Sequence, residues 1–145
     1  MDATTAQKVI AILNEGVSNE LGAIIQYLWH HYMAEGMASP PIIDIFEKAS
    51  RDEMKHLEAF AERIVALGGE PTTRIPALKK GGSLEQMVRD DLELEHGAVK
   101  MYREHIRQLA ALGDTTSRLM VEKTQASEEE HVKTFETLLG LIKKK

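Results

Sequence analysis

The sequence contains no cysteine and no long uninterrupted apolar segment. Without cysteine the chain forms no disulfide, iron–sulfur cluster or thiolate metal site, so any metal ion must be bound by Asp, Glu or His. No stretch reaches the roughly 18 apolar residues of a membrane span. Residues 1–7 are polar and have no apolar segment behind them, unlike a signal peptide. We therefore expect a soluble, cytoplasmic protein.

The sequence also lacks an excess of positive charge. Lys and Arg total 18 against 23 for Asp and Glu, which gives a formal net charge of −5. The longest basic run is Lys143-Lys144-Lys145, which is typical of a solvated tail. Because nucleic-acid binding requires a basic face or arm, we do not expect nucleic acid as a partner.

Helix-start signals recur four times along the chain, and no segment shows the alternation of a strand. Two are capping boxes, one is a Ser before Pro, and one is an Asp. These predicted N-caps are Thr4, Ser39, Ser83 and Asp114. With glycines as stop signals, the helices are predicted over residues 5–35, 40–67, 84–112 and 115–142, in one domain spanning 1–145.

The predicted connections differ in length. The first and third are short, which makes each flanking helix pair antiparallel. The second covers residues 69–82 and extends over about 46–50 Å, more than the ~42 Å length of a 28-residue helix. It can therefore cross the whole bundle, with Ile75 and Leu78 as predicted apolar contacts. The fold class is all-α, a four-helix bundle with one long crossover between the second and third helices.

One glutamate interrupts the apolar core face of each predicted helix. The four are Glu20, Glu53, Glu95 and Glu128. A carboxylate on a core face is costly unless its charge is compensated. Each glutamate lies 12 to 15 residues from the predicted start of its helix, so at ~1.5 Å per residue their depths agree to within about one turn.

Two histidines join these glutamates. His56 and His131 each follow a core-face glutamate by three residues, which places them on the same helix face. The six side chains are predicted to converge on a buried two-metal site. A ligand set of Glu and His without sulfur suits iron or manganese, with zinc as an opportunistic occupant. The alternative is a structural bundle whose glutamates pair with His, Lys or Arg, although no Lys or Arg falls on the core faces.

The third helix contains a second Glu-x-x-His motif, which has to be separated from the first. Glu93 shares its helix face with charged residues, whereas Glu95 lies between Leu92 and Val99. We therefore assign Glu95 to the site and leave out Glu93 and His96. Three histidines without a partner motif are predicted to be surface or hydrogen-bonded residues: His30, His31 and His105.

These residues resemble bacterioferritin over nearly the whole chain. The matching segments are Asn19-Glu20-Leu21-x-Ala23-Ile24-x-Gln26-Tyr27, Asp52-Glu53-Met54-Lys55-His56, Asp91-Leu92-x-Leu94-Glu95 and Glu128-x-x-His131. The resemblance implies a ferritin-like bundle with two irons per subunit, bridged by Glu53 and Glu128, with Glu20 and Glu95 as terminal carboxylates and His56 and His131 on one iron each. The implied activity is a ferroxidase that oxidises Fe(II) with dioxygen or hydrogen peroxide for iron storage or detoxification.

Tyr27 and Met54 are two further residues for which we predict a functional role. Tyr27 lies two turns beyond Glu20 on the same face and is predicted to donate a hydrogen bond or an electron near the metals, with aromatic core packing as the alternative. Met54 is an apolar residue on the outer face of the second helix. In the resembled family a methionine at this position binds haem b between two subunits, and a methionine buried at a plain interface explains the pattern as well.

The first helix has a second apolar face, formed by Ile25, Trp29 and Tyr32. Such a face needs another surface to cover it, so we expect at least a dimer through the first two helices.

Bacterioferritins continue into a short fifth helix, and the sequence to Lys145 predicts a shortened form without it. For this form the sequence does not decide between a 24-subunit shell, a 12-subunit shell and a dimer. The alternative functions are a di-metal peroxidase or catalase-type enzyme on the same scaffold, and a haem-binding or structural oligomer.

Overall fold

Four long helices make up nearly all of the computed structural model, which describes residues 1–143. They are α1 (Ala3–Met33), α2 (Ser39–Ala66), α3 (Leu84–Leu112) and α4 (Thr115–Leu138). The described residues contain no strand, which confirms the all-α prediction. None of their helices has the length and apolar character needed to cross a bilayer. Of the predicted lysine tail, Lys144 and Lys145 lie outside the described residues.

The first two helices begin differently from the prediction. Asp2, and not Thr4, caps α1, because its side chain accepts a hydrogen bond from the Thr5 N–H at 2.7 Å. The helix therefore starts slightly earlier than the capping box indicated. Ser39 is the first residue of α2 and not its cap, and its hydroxyl donates to the Gly36 carbonyl at 2.7 Å. That bond closes the tight turn between α1 and α2.

The starts of α3 and α4 agree with the prediction, whereas the end of α4 does not. Ser83 and Asp114 each accept a hydrogen bond from a backbone N–H in the first turn of the following helix. The last helix stops at Leu138 because Gly140 adopts a left-handed conformation, with φ of +71°. The apolar spacing of the predicted 115–142 helix places Leu138 and Ile142 on its core face, but both are more than a third exposed because the helix ends early.

Two apolar clusters fill opposite halves of the bundle and define its topology. One joins the starts of α1 and α4 to the ends of α2 and α3, with Val9, Ile64, Leu109 and Val121 among its members. The other joins the ends of α1 and α4 to the starts of α2 and α3, with Tyr27, Phe46, Val88 and Phe135 among its members. Helices α2 and α3 are therefore parallel, and the segment between them runs from one end of the bundle to the other.

This crossover is held against α1 by polar side chains spaced four residues apart or a multiple of four. The contacts are Asn14 Nδ2 donating to the Glu70 carbonyl (3.0 Å), Ser18 Oγ donating to the Arg74 carbonyl (2.8 Å), the Lys79 N–H donating to Gln26 Oε1 (3.0 Å), and His30 Nε2 at 3.0 Å from the Lys79 carbonyl. An extended segment outside a sheet needs such partners for its backbone groups. The predicted apolar contact at Ile75 is wrong, since that side chain is exposed, whereas Leu78 is half-buried.

Gly22 lies in the middle of this row, where the crossover comes closest to the backbone of α1. A Cβ atom at Gly22 would lie 2.6 Å from Pro76 Cγ, in a rigid ring. We expect Gly22→Ala to lower the free energy of unfolding by about 1–3 kcal/mol through overpacking. Urea unfolding followed by circular dichroism measures this change.

Gly97→Ala is the matched control for this measurement. Gly97 also lies inside a helix, but within residues 1–143 no atom other than its own helix backbone lies within 4 Å of the place that a Cβ would occupy. Alanine there should raise stability by up to about 1 kcal/mol, because glycine is the poorer helix former. A Gly22→Ala protein as stable as Gly97→Ala would contradict the tight contact between α1 and the crossover.

Candidate metal centre

Six side chains from the four helices meet between the two apolar clusters. Their donor atoms form two groups, and within each group the atoms lie within 4.8 Å of one another. The first group is Glu20, Glu53, His56 and Glu128, and the second is Glu53, Glu95, Glu128 and His131. Because Glu53 and Glu128 belong to both groups, the arrangement consists of two neighbouring positions that share two carboxylates. The structure thus brings together all six residues that the sequence singled out, and their role as metal ligands stays a prediction.

The donor atoms of this cluster are mostly unsatisfied. Eight of them are buried without a hydrogen-bond partner in the described part of the chain: Nδ1 of His56 and His131, both oxygens of Glu53 and Glu128, and Oε2 of Glu20 and Glu95. Buried polar atoms are normally paired, and each unpaired one costs about 1–3 kcal/mol. Cations bound at the two positions would satisfy all eight, so the donor set fits a pair of divalent metal ions.

Two buried tyrosines hold the terminal carboxylates of the cluster. Tyr27 on α1 donates its hydroxyl hydrogen bond to Glu95 Oε1 on α3, and Tyr102 on α3 donates to Glu20 Oε1 on α1 at 2.5 Å. Burial, and then the charge of the partner carboxylate, raises the pKa of each phenol, so both remain protonated donors. Each bond occupies one carboxylate oxygen and leaves the other unpaired within the cluster.

These contacts place Tyr27 beside the cluster and show that a second tyrosine, Tyr102, occupies an equivalent position. Tyr27 lies on the same helix as Glu20, but it donates its hydrogen bond across the bundle to Glu95 on α3. Its catalytic role stays a prediction. Sequence reasoning gave Tyr102 no role beyond packing. The signal that could have found it was spacing, because Tyr102 follows Glu95 by seven residues, as Tyr27 follows Glu20.

Protons compensate part of the buried charge when no metal is bound. Burial raises the pKa of Glu53 and Glu128 well above the ordinary value, and neighbouring carboxylates raise it further. For His56 and His131, burial lowers the pKa, but the surrounding carboxylates, whose oxygens lie 3.3–3.6 Å from Nδ1, outweigh burial and raise it to about 9. Both imidazoles are therefore protonated on both ring nitrogens, and positively charged, at neutral pH in the metal-free protein. A metal ion that binds Nδ1 has to displace the proton there.

The two halves of the chain carry the same polar residues 75 positions apart, a repeat that sequence reasoning missed. The pairs are Glu20 and Glu95, Tyr27 and Tyr102, His30 and His105, Lys48 and Lys123, Glu53 and Glu128, and His56 and His131. The α1–α2 hairpin therefore corresponds to the α3–α4 hairpin. The cluster consequently has approximate two-fold symmetry, with each hairpin providing one terminal glutamate, one shared glutamate and one histidine.

The three histidines without a partner motif are hydrogen-bonded, which is one of the two outcomes that the sequence predicted for them. His30 is fully buried, and its Nδ1 lies 2.8 Å from Asp91 Oδ2. His105 is also buried, and its Nε2 lies 2.8 Å from Glu15 Oε2. His31 contacts a backbone carbonyl of α2 at 2.7 Å. These side chains link helices to one another and to the crossover.

The other candidate residues lie on the outside of the bundle. Glu93 forms a surface ion pair with Lys79 at 2.5 Å, and His96 is exposed. Both therefore lie outside the cluster, where the periodicity of the third helix placed them. Met54 is 46% exposed on the outer face of α2, although it is the residue next to Glu53.

A bundle with one crossover and a buried carboxylate–histidine cluster defines the ferritin-like class of proteins. The family model described as a ferritin-like domain matches residues 10–145. A bacterioferritin of Mycobacterium leprae is 36% identical over 135 residues, which is 92% of this chain and 85% of that protein. The chain belongs to the bacterioferritin family, which confirms the resemblance found in the sequence.

Solved structures agree with this assignment. A Rhodobacter capsulatus bacterioferritin, described as having a metal-free dinuclear site and a haem iron, superposes with a TM-score of 0.89 at 33% identity over 93% of this chain and 85% of that chain. A Bacillus anthracis protein described as a ferritin-like, diiron-carboxylate protein gives a TM-score of 0.89 at 29% identity over 96% of this chain and 99% of that chain. The ferritin-like fold is thus shown by experimental relatives of similar length and of greater length.

The protons held in the cluster predict how stability depends on pH. The pKa of His56 and His131 rises from 6.5 to about 9 on folding, so the folded state binds more protons than the unfolded state. Stability of the metal-free protein should therefore fall as pH rises from 6.5 through about 9. The raised pKa values of Glu53 and Glu128 act in the same direction.

Urea unfolding with a chelator present, at several pH values across this window, measures the effect. Saturating Zn²⁺ provides the control, because a cation that replaces the protons should stabilise the protein most at the alkaline end. Metal-free stability that stays constant or rises between these pH values would contradict the proton-compensated cluster.

Proposed function

We propose that this protein binds two Fe(II) ions per chain and oxidises them to Fe(III) with dioxygen or hydrogen peroxide, for iron storage or detoxification. The observation that carries the proposal is the set of eight buried donor atoms without partners, arranged around two adjacent positions. Membership of the bacterioferritin family supports iron storage as the wider role. The absence of cysteine limits the ligands to the Glu and His residues of the cluster.

In this proposal the two shared carboxylates bridge the metal ions. Glu53 and Glu128 are assigned to this role because each belongs to both donor groups. Glu20 and His56 complete one position, and Glu95 and His131 complete the other. Four carboxylates balance the charge of two divalent ions, while neutral imidazoles add donors without adding charge. Oxygen and imidazole ligands suit iron and manganese, and zinc competes for them.

Holding two Fe(II) substrates side by side determines the outcome of the oxidation. Two electrons and two protons together reduce dioxygen to hydrogen peroxide, or hydrogen peroxide to two waters. The paired arrangement therefore avoids release of a one-electron-reduced oxidant. Tyr27 and Tyr102 orient the terminal carboxylates for this task. Tyr27, whose phenol directly contacts Glu95, is also our candidate for an auxiliary electron donor.

Rapid mixing of the anaerobic Fe(II)-loaded protein with dioxygen tests this proposal. We expect a fast phase that consumes two Fe(II) per chain. Glu95→Ala removes a ligand and should slow this phase by at least about 100-fold. Glu93→Ala is the matched control, because Glu93 lies at the surface of the same helix, and its fast phase should stay close to that of the unmodified protein.

The other outcomes separate the competing functions. Steady disproportionation of hydrogen peroxide without net iron oxidation would favour a catalase-type or peroxidase enzyme. Failure to take up any metal would contradict the metal site itself. A larger loss for Glu93→Ala than for Glu95→Ala would contradict the face assignment on α3.

We also propose that the chain self-associates through α1 and α2, with haem binding at the dimer interface as a second candidate function. Trp29 and Tyr32 on α1 and Met54 on α2 are large apolar side chains with 40%, 76% and 46% of their surface exposed. A second subunit packed on α1 and α2 would cover these apolar side chains. The Rhodobacter capsulatus relative is described as containing a haem iron. Met54 of each subunit would hold the haem iron through its thioether sulfur.

Haem titration followed by visible absorption tests this second candidate. The unmodified protein should bind one haem per two chains, and Met54→Leu should lose the spectrum of sulfur ligation. Met37→Leu is the control, because Met37 is fully exposed in the loop after α1. Light scattering on the same samples measures the assembly. A monomer would contradict the proposed interface, and an unchanged spectrum for Met54→Leu would contradict the haem site.

A further inference from the structure

The two halves of the metal centre match at every ligand but differ just beyond the histidines. His131 turns its outer ring nitrogen, Nε2, toward Asp52 Oδ2 at 3.0 Å. No atom of residues 1–143 forms a hydrogen bond with Nε2 of His56. The inner nitrogen, Nδ1, of each ring faces the carboxylates of the cluster. The approximate two-fold symmetry is therefore broken at the group that orients each imidazole.

Asp52 is suited to fixing the orientation of His131. Its Oδ2 also accepts a hydrogen bond from Lys48 Nζ at 2.9 Å. A carboxylate acceptor at Nε2 keeps the ring proton there and leaves the Nδ1 lone pair for a metal ion.

In the 75-residue repeat, the residue that corresponds to Asp52 is Ser127. Serine is shorter and uncharged, so it provides no carboxylate for the outer nitrogen. Lys123 is the counterpart of Lys48, and in place of an ion pair with residue 127 it lines an open cavity of about 470 Å³ next to His56. His56 therefore has space beside its ring and no anchor in the described chain.

We propose that Asp52 is a positioning residue that makes the Glu95–His131 position the tighter of the two metal positions. The Glu20–His56 position, whose histidine is not anchored, is the weaker and more readily exchanged one. Removing an outer partner of a metal-bound histidine typically reduces metal affinity about 10–100-fold. The inference rests on the proposed two-metal site and adds an order of filling to it.

Anaerobic titration of the metal-free protein with Co²⁺, followed by calorimetry and visible absorption, tests the order of filling without any turnover. The unmodified protein should bind two ions in steps that differ by at least about 10-fold. Asp52→Ala should weaken the tighter step until the two steps converge, and Asp52→Asn, which keeps an acceptor oxygen, should restore part of the difference. Ser127→Asp supplies the missing acceptor and should strengthen the weaker step.

Glu58→Ala is the control, because Glu58 is an exposed carboxylate of α2 away from the cluster, and it should leave both steps unchanged. A second measurement separates positioning from general loss of structure. Proton NMR of the Co²⁺ protein should show one slowly exchanging imidazole N–H, from His131. Asp52→Ala should abolish its protection, and Ser127→Asp should add a second protected signal from His56.

The outcomes distinguish this inference from the proposed function. Two equal steps in the unmodified protein, or steps unaffected by Asp52→Ala, would overturn the role of Asp52 while leaving the two-metal site in place. No uptake of Co²⁺ would overturn both. If Asp52→Ala does not fold, Ser127→Asp decides the question, because an unchanged weaker step would overturn the inference.

Discussion

Repulsion among four buried carboxylates is the constraint on which the rest of this structure depends. Water does not reach these groups to screen them, so the protein must supply the compensation. One tyrosine hydroxyl donates a hydrogen bond to Glu95, and another donates to Glu20. Two protonated imidazoles balance part of the remaining charge. The compensation is incomplete, because eight atoms stay unpaired. That deficit makes the cluster a candidate site for cations.

The packing of the helices keeps these charges together. Apolar clusters lie on both sides of the carboxylates and hold the helix pairs at fixed spacing. The crossover closes one side of the bundle through its contacts with α1, and the close approach of Pro76 to Gly22 leaves no gap there. The histidines are the more exposed members of the cluster, at 13% and 10% of their side-chain surface. Exchange with solvent is thus easiest on the side formed by α2 and α4.

The six residues of the cluster were predictable from the sequence, whereas the residues that contact them were not. A glutamate within an apolar face is a local signal, and the periodicity around Leu92 and Val99 separated Glu95 from Glu93. The hydrogen bond from Tyr27 to Glu95 depends on how two antiparallel helices are aligned. The sequence pattern of one helix does not determine that alignment. The same is true of Asp52 and His131. The apolar spacing predicted that α4 continues to residue 142, but the left-handed conformation of Gly140 ends the helix earlier.

The 75-residue repeat has an evolutionary consequence. A single hairpin bearing one Glu, one Tyr and one Glu-x-x-His could assemble the complete set of ligands by pairing with an identical copy of itself. Such a homodimer would have an aspartate beside both histidines or beside neither, because one gene would encode both. Only after two hairpins are fused into one polypeptide can Asp52 exist opposite Ser127. Fusion therefore allows the two halves of the cluster, if they share an origin, to acquire separate properties.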